Sequence, residues 1–252
     1  MLTHRLIPVL LLKDGGLVKT TKFGDPKYVG DPINVVRIFN EKEVDELAIL
    51  DIFASSRGRA PDFELLAQIA SECFMPLSYG GGIRSIDDAK RVFSLGIEKV
   101  CIQTAALQNI KIITEIARDF GTQSITVSVD IKKNWLGRRG LYSASAGKII
   151  QGDWLNYLKT LEAAGAGEIL LTSVERDGTL SGMDFELIRE VSECLSIPVV
   201  AAGGASSLDD VRKAIDCGAN AVAAGAFFVY QGPHRAVLIS YPRYAELKRL
   251  MG

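Results

Sequence analysis

Residues 76–100, "PLSYGGGIRSIDDAKRVFSLGIEKV", and residues 198–222, "PVVAAGGASSLDDVRKAIDCGANAV", are two versions of one passage. They align without a gap at an offset of 122 residues, and the same offset lays "DFELL" at 62–66 over "DFELI" at 184–188. Each copy reads as a short apolar strand, a glycine-rich turn, a helical stretch and a second apolar strand. A β-α-β passage that recurs at half the chain length predicts two like halves, about 1–122 and 123–252.

Outward from these passages the pattern continues in both directions. Apolar runs at 5–12, 46–52, 76–80, 98–103, 124–131, 168–174, 198–202 and 220–225 read as strands. Segments of helical period lie at 32–41, 62–74, 85–95, 108–119, 152–164, 184–195, 207–217 and 241–250, the first opened by Asp31 as N-cap and Pro32 at the first helical position. Strict alternation implies a parallel sheet, because parallel strands need crossover helices. A doubly wound open sheet is the rival arrangement. Four βα units repeated once decide for closure into a single (β/α)8 TIM barrel, which a chain of 252 residues accommodates as one domain.

Composition narrows the function classes. There are 29 Lys and Arg against 30 Asp and Glu, with no long run of either sign, so the concentrated basic face that nucleic acid needs is missing. Cys73, Cys101, Cys194 and Cys217 are widely spaced, without a CxxC or zinc-ligand pattern, and read as reduced, mostly buried thiols. The opening "RLIPVLLL" is too short for a signal peptide, contains a proline and lacks a cleavage site, and no stretch approaches a membrane span; a cytoplasmic location is expected. With only His4 and His234, both far from the expected strand ends, neither a zinc site nor a Ser-His-Asp triad is expected, and no cofactor.

In such barrels the loops after the strands form the working face, and glycines there let backbone N–H groups approach an anion. "YGGGI" at 79–83 and "AAGGA" at 201–205 are each followed, one strand later, by small residues, "QTAA" at 103–106 and "AAGA" at 223–226. Two such cradles suit a ligand carrying two phosphates; the plain alternative is that the glycines only permit tight turns. Lys13, Lys19, Asp51, Asp130, Ser145, Thr172 and Asp177 fall between the cradles. Asp130 ends an apolar strand, where desolvation would raise its pKa toward general acid or base work, unless it merely orders a loop. Matching "VLLLK" at 9–13 with "VSVDIK" at 127–132 sets Leu11 opposite Asp130, a leucine where symmetry expects a carboxylate. At the other end Arg5, Glu46, Lys99 and Glu168 introduce four strands; pointing inward, they would form a ring of alternating charge across the floor, which taken alone reads as a structural ion-pair plug.

Taken together, "KDGGLVK", "GDP", "DELAILDI", "GGGI", "TAA", "GAGEILLTSVERDGT" and "AGGA" resemble HisF, the cyclase subunit of imidazole glycerol phosphate synthase, along essentially the whole chain. The resemblance implies a HisH-type glutaminase partner whose ammonia travels through the barrel to a two-phosphate ribulosyl aminoimidazole carboxamide nucleotide. It places the family's two catalytic carboxylates at Leu11 and Asp130, one phosphate site at Gly81, Gly82 and Thr104, and the other at Gly178, Gly204 and Ala226. Lys19 matches the lysine of the mobile first loop, and Arg5, Glu46, Lys99 and Glu168 match the family's ammonia gate in full.

Departures gather on the working face. Ala202 and Ala226 replace serines near the second phosphate, Val229 replaces a histidine, Gln103 replaces an asparagine, and Leu11 replaces an acid. Each lost hydroxyl donor removes a hydrogen bond worth ~0.5–1.5 kcal/mol. This combination is similar to HisF paralogues of surface-polysaccharide clusters, which implies ammonia supply to a separate amidotransferase that builds acetamidino sugars. A genuine cyclase using Asp130 with Asp51 or Lys13, and a noncatalytic scaffold that activates a glutaminase, are the alternatives.

Overall fold

The eight apolar runs form eight parallel strands in the computed structural model, which describes residues 4–251. They are β1 Arg5–Lys13, β2 Leu47–Asp51, β3 Leu77–Gly80, β4 Lys99–Ile102, β5 Ile125–Lys133, β6 Glu168–Ser173, β7 Val199–Ala202 and β8 Ala221–Ala224. Each strand pairs in parallel with the next, and β8 returns to β1 in the register Arg5↔Ala221 to Pro8↔Ala224. That last pairing closes the barrel. The helices between them are α1 Pro32–Glu41, α2 Phe63–Glu72, α3 Ile86–Ser94, α4 Lys111–Phe120, α5 Trp154–Ala164, α6 Phe185–Cys194 and α7 Leu208–Asp216, with α8 Tyr244–Met251 last.

Local chemistry starts the helices where the sequence predicts. Asp31 accepts from the Asn34 N–H at 2.9 Å, with Pro32 at the first helical position. Ser85 and Ser207, 122 residues apart, cap α3 and α7 by accepting from the N–H groups of Asp88 and Asp210 at 3.1 and 3.2 Å. Asp88 answers by accepting from the Ser85 N–H at 3.1 Å, which satisfies a second otherwise unpaired donor.

Strand alternation separates two apolar regions. Leu6, Leu10 and Leu12 of β1, with Val127, Val129 and Ile131 of β5, face outward and pack under the helices. The inward positions build a distinct plug from Ile7, Ala48, Cys101, Leu170, Val200, Ala221 and Ala223. The same period that buries Ile7 therefore points Arg5 inward below it and Leu11 inward above it.

Two antiparallel hairpins extend the barrel beyond what the apolar pattern predicts. Gly16–Thr21 and Gly24–Gly30 continue from β1, with Leu11 opposite Val18; Arg139–Ser143 and Lys148–Ile150 continue from β5, with Asp130 opposite Tyr142. Their strands mix polar and apolar residues without a long apolar run, which hides them from a hydrophobic reading, although Asp14 and Gly15, with φ of 51° and 79°, are a hairpin-turn pair. Short helices Thr104–Gln108 and Ala226–Val229 follow β4 and β8. All four cysteines are free, but the expectation of mostly buried thiols needs correction: only Cys101 is buried. Cys73, Cys194 and Cys217 lie at the C-terminal ends of α2, α6 and α7, where the helix layer meets solvent.

Replacing either cap serine, Ser85→Ala or Ser207→Ala, is expected to cost about 1 kcal/mol. Urea denaturation should show the two losses adding in the double variant, since the caps share no contact.

Candidate active face and barrel floor

A cavity of about 290 Å³ opens at the C-terminal ends of the strands. Leu11, Gln103, Asp130 and Thr172 reach it from the strand ends, Lys19 and Thr20 from the first hairpin, and Tyr142 and Ser145 from the second. The hairpins meet above it through Phe23 and Tyr142, whose ring centres lie 6.2 Å apart. Lys13 is not part of this wall; its ammonium stacks 5.2 Å from the Phe53 ring.

Asp130 is the buried acid of the site. Burial pushes its carboxyl up to about 7, against the opposing pull of hydrogen bonds from Gln103, at 2.6 Å, Thr172 and Ser128. Such a group exchanges protons near neutrality. The Gln103 carbonyl oxygen in turn accepts from the Ala144 N–H at 3.3 Å, tying β4 to the second hairpin. Leu11 stands in the same wall and presents only methyl groups.

Lys19 is buried as well, donating to the Val9 carbonyl and packed against Gly225. Burial lowers its ammonium to about 8, with the nearby Asp177 carboxylate opposing the fall. Asp177 is itself raised by burial, held back by Lys19 and by the Thr20 hydroxyl at 3.2 Å. Asp51 orders its loop instead: one carboxylate oxygen accepts from the Phe53 and Ala54 N–H groups at 3.0 and 2.9 Å.

Gly81 and Thr104 line one side of the cavity, and the Thr104 hydroxyl donates to Ser145 at 3.0 Å. Gly82 lies just behind the wall, its N–H on the Ser55 hydroxyl at 3.3 Å. Gly178, Gly204 and Ala226 line the other side. Gly178 and Gly204 have φ of 68° and 96°, and a Cβ on either would overlap a carbonyl oxygen, of Thr20 and Gly182 respectively. Only glycine brings the backbone that close. Ala202 and Ala226 add no hydroxyl, and Val229 is buried away from the cavity.

At the floor the four charges form a closed ring. Arg5 binds Glu46 and reaches Glu168 at 2.7 Å, while Lys99 lies 3.1 Å from Glu46 and 3.2 Å from Glu168. The Thr126 hydroxyl adds a bond to Glu168 at 2.7 Å. Burial works against the Glu168 charge, but Lys99 and Arg5 outweigh it and hold its carboxyl below the usual range. Arg5 is correspondingly raised: burial opposes its charge, and Glu168 and Glu46 overcome it.

Above the ring is a second cavity of about 20 Å³, room for roughly one water-sized molecule. Leu50, Cys101, Leu170 and Ala223 line both it and the larger cavity. They form an apolar collar between floor and mouth. Sequence reasoning missed this collar, along with Thr20, Ser55 and Tyr142. Counting back by two from Asp130 would have found Ser128 and Thr126; the hairpin residues needed a register that composition does not carry.

A closed (β/α)8 barrel with a glycine-cradled mouth around one buried carboxylate and a charged floor defines the class. The model of the histidine biosynthesis protein family matches residues 5–234, and the chain belongs to that family. It is 50% identical over 249 residues to a Pseudomonas aeruginosa protein provisionally named imidazole glycerol phosphate synthase subunit hisF2, covering 98% of this chain and 99% of that one. It is 48% identical over 252 residues to a Leptospira borgpetersenii protein provisionally named as subunit HisF, covering 99% of each. To the imidazole glycerol phosphate synthase subunit HisF of Dictyoglomus thermophilum it is 40% identical over 229 residues, covering 90% of each chain.

Because the folded Asp130 titrates near 7 and an unfolded aspartate near 3.8, the native state binds the extra proton between those values. Stability therefore falls as pH rises through that window and stays reduced above it. Asp130→Asn is expected to stabilise the protein at pH 8 by on the order of 2–4 kcal/mol and to have little effect near pH 4. Denaturant titrations at the two pH values check this; equal effects at both would assign the carboxyl an ordinary pKa.

Proposed function

We propose that this chain is the ammonia-conducting barrel subunit of a glutamine-dependent amidotransferase. It receives ammonia at the floor from a HisH-type glutaminase, in a heterodimer, and releases it at the mouth to a separate sugar amidotransferase that forms acetamidino groups for surface polysaccharide. The observation that carries this reading is Leu11. It lines the mouth cavity together with Asp130 and can neither take nor give a proton, whereas the collar and the four-charge ring lie one after the other below.

The rest of the site supports the same division of labour. Ring closure by ammonia needs both a proton donor and a proton acceptor, and a single carboxylate is one group where the resemblance implies two. The glycine cradles retain their backbone geometry, so a phosphorylated small molecule still fits the mouth, held by Lys19, Gly81, Thr104, Gly178 and Gly204, with Gly82 and Ala226 alongside. The 122-residue offset relating Glu46 to Glu168 and Ser85 to Ser207 supports descent from two half-barrels, about 1–122 and 123–252.

The decisive assay supplies the purified chain, its glutaminase and the ribulosyl aminoimidazole carboxamide nucleotide with ammonium added directly. No imidazole glycerol phosphate is expected, and Leu11→Asp should raise product formation by at least about tenfold, one carboxylate's general-acid contribution being ~10²–10⁴. Robust turnover by the unaltered chain would establish a cyclase instead.

A second variant separates conduction from scaffolding. Ala223→Phe fills the collar, and the complex with the glutaminase should still form and hydrolyse glutamine while nitrogen transfer to the sugar amidotransferase stops. Transfer that persists, followed with heavy-nitrogen amide glutamine, would place the ammonia path outside the barrel.

A further inference from the structure

The first hairpin carries a lysine into the barrel mouth and leaves it there nearly alone. Lys19 is 4% exposed and lines the cavity. Its side-chain nitrogen donates to the Val9 carbonyl, where β1 has already parted from β8, the two strands pairing only as far as Pro8↔Ala224. Glycine at position 225 makes the slot, since a Cβ there would overlap the lysine nitrogen. An ammonium has three N–H donors. The Val9 carbonyl takes one, and Lys19 joins no salt bridge among the described residues, although Asp177 acts on it from farther off. A buried cation without a paired anion is costly, and the cost falls away when the group gives up its proton.

The surroundings of the nitrogen favour that loss. Leu11, paired through the backbone with Val18, lines the same cavity as Lys19, together with Val9, Leu170 and Ala224. A carboxylate at position 11 would hold the lysine as an ammonium; a leucine cannot. Burial accordingly lowers Lys19 to about 8, so free amine is present near neutrality. The Val9 carbonyl accepts from an amine as well as from an ammonium, which leaves the nitrogen lone pair for the cavity. Asp130, raised by burial to about 7, lines that cavity too, and Asp177 acts on both groups. Of the other ionisable groups in the wall, Asp51 is bound by the Phe53 and Ala54 N–H groups, burial keeps the Cys101 thiol uncharged, and Tyr142 stacks under Lys132. A desolvated amine and a carboxylic acid in one cavity are the pair that carbonyl condensation needs.

We propose that Lys19 is a nucleophile whose amine condenses, in the mouth, with the carbonyl carbon of a phosphorylated ketone or aldehyde. The proposal rests on the reading above that a phosphorylated small molecule fits the mouth, and it names the class of that molecule. The nitrogen lone pair forms the C–N bond while an amine proton passes to the carbonyl oxygen, giving a carbinolamine. The C–O bond then breaks, the Asp130 carboxyl supplies the proton with which the oxygen leaves as water, and the nitrogen lone pair closes the iminium. Nothing is oxidised or reduced, and the iminium cation is balanced by the new Asp130 carboxylate. Water reverses the sequence. Thr104 and Ser145 offer hydroxyls to the phosphate on one side, while Gly178, Gly204 and Ala226, on the side of Lys19, have none to compete for the carbonyl.

The test incubates the purified full chain with dihydroxyacetone phosphate and sodium cyanoborohydride, which reduces an iminium to a stable amine and spares ketones. Peptide mass spectrometry should find a single adduct, on Lys19. Inorganic phosphate should suppress it, and dihydroxyacetone, lacking the phosphate, should label at least about tenfold more slowly, having lost the hydrogen bonds to a charged group. The labelling rate should peak between about pH 7 and about pH 8, where free Lys19 amine and protonated Asp130 coexist. Leu11→Asp should cut labelling at pH 7 at least about tenfold, because a neighbouring carboxylate favours the ammonium. Lys19→Arg, which keeps a cation at the Val9 carbonyl, should give no adduct at all.

Binding of the probe in calorimetry, displaced by inorganic phosphate but giving no adduct on Lys19, overturns the covalent step and leaves the phosphate reading in place. Absence of binding by both the probe and inorganic phosphate overturns the two together. Adducts spread evenly over several lysines, insensitive to phosphate and to Leu11→Asp, are adventitious amine chemistry and overturn the proposal as well.

Discussion

Four charges at the starts of four different strands meet at the barrel floor, and their mutual satisfaction constrains the rest of the molecule. Glu46 and Glu168 are buried, so each must hold its cations in place or bear a large desolvation cost. Arg5 and Lys99 each bridge both glutamates, which means that β1, β2, β4 and β6 cannot slide against one another without breaking more than one ion pair. Strand register is fixed from below. Because side chains alternate, that register also decides what stands at the top of each strand: Leu11 three inward positions above Arg5, and Thr172 two above Glu168.

The top of the barrel then shows a buried carboxylate, Asp130, in the same cavity wall as a leucine. Asp130 keeps its neighbours Gln103, Thr172 and Ser128, and burial brings its carboxyl into the neutral range. The leucine at position 11 sits in an undisturbed strand, the backbone of β1 pairing with Val18 on one side and Leu50 on the other. On the reading proposed above, a leucine in the place of an acid within an intact frame separates the chemistry of the mouth from the architecture that serves it.

Much of this was legible in the sequence, and the reasons differ by feature. The eight strands, the helix caps at Asp31, Ser85 and Ser207, and the inward charges at the floor follow from period, capping chemistry and repeat, all local properties. Asp130 was visible because a carboxylate at the end of an apolar strand is costly and rare. The hairpins after Lys13 and Lys133 were not, since their strands set a few buried apolar residues, Leu17, Val18 and Leu141 among them, between polar ones and lack the apolar run of a barrel strand. Lys19 could be named from resemblance, but its burial against Gly225 and the Val9 carbonyl depends on that unseen hairpin. Lys13, equally polar and nearer the strand, turns away to Phe53.

The collar of Leu50, Cys101, Leu170 and Ala223 links these observations physically. Apolar walls favour neutral ammonia over ammonium, because a cation entering them would lose its hydration with nothing to replace it. Cys101 does not change this, for burial raises its thiol and keeps it uncharged. Below the collar the glutamates of the ring are held by Arg5 and Lys99; above it Asp130, raised by burial to about 7, can take up a proton. On the ammonia-conducting reading, the crossing molecule meets charged or titratable groups on both sides and an uncharged wall between. Leu11 and Asp130 share one wall of the mouth, and on the reading proposed above the ammonia passes onward from there.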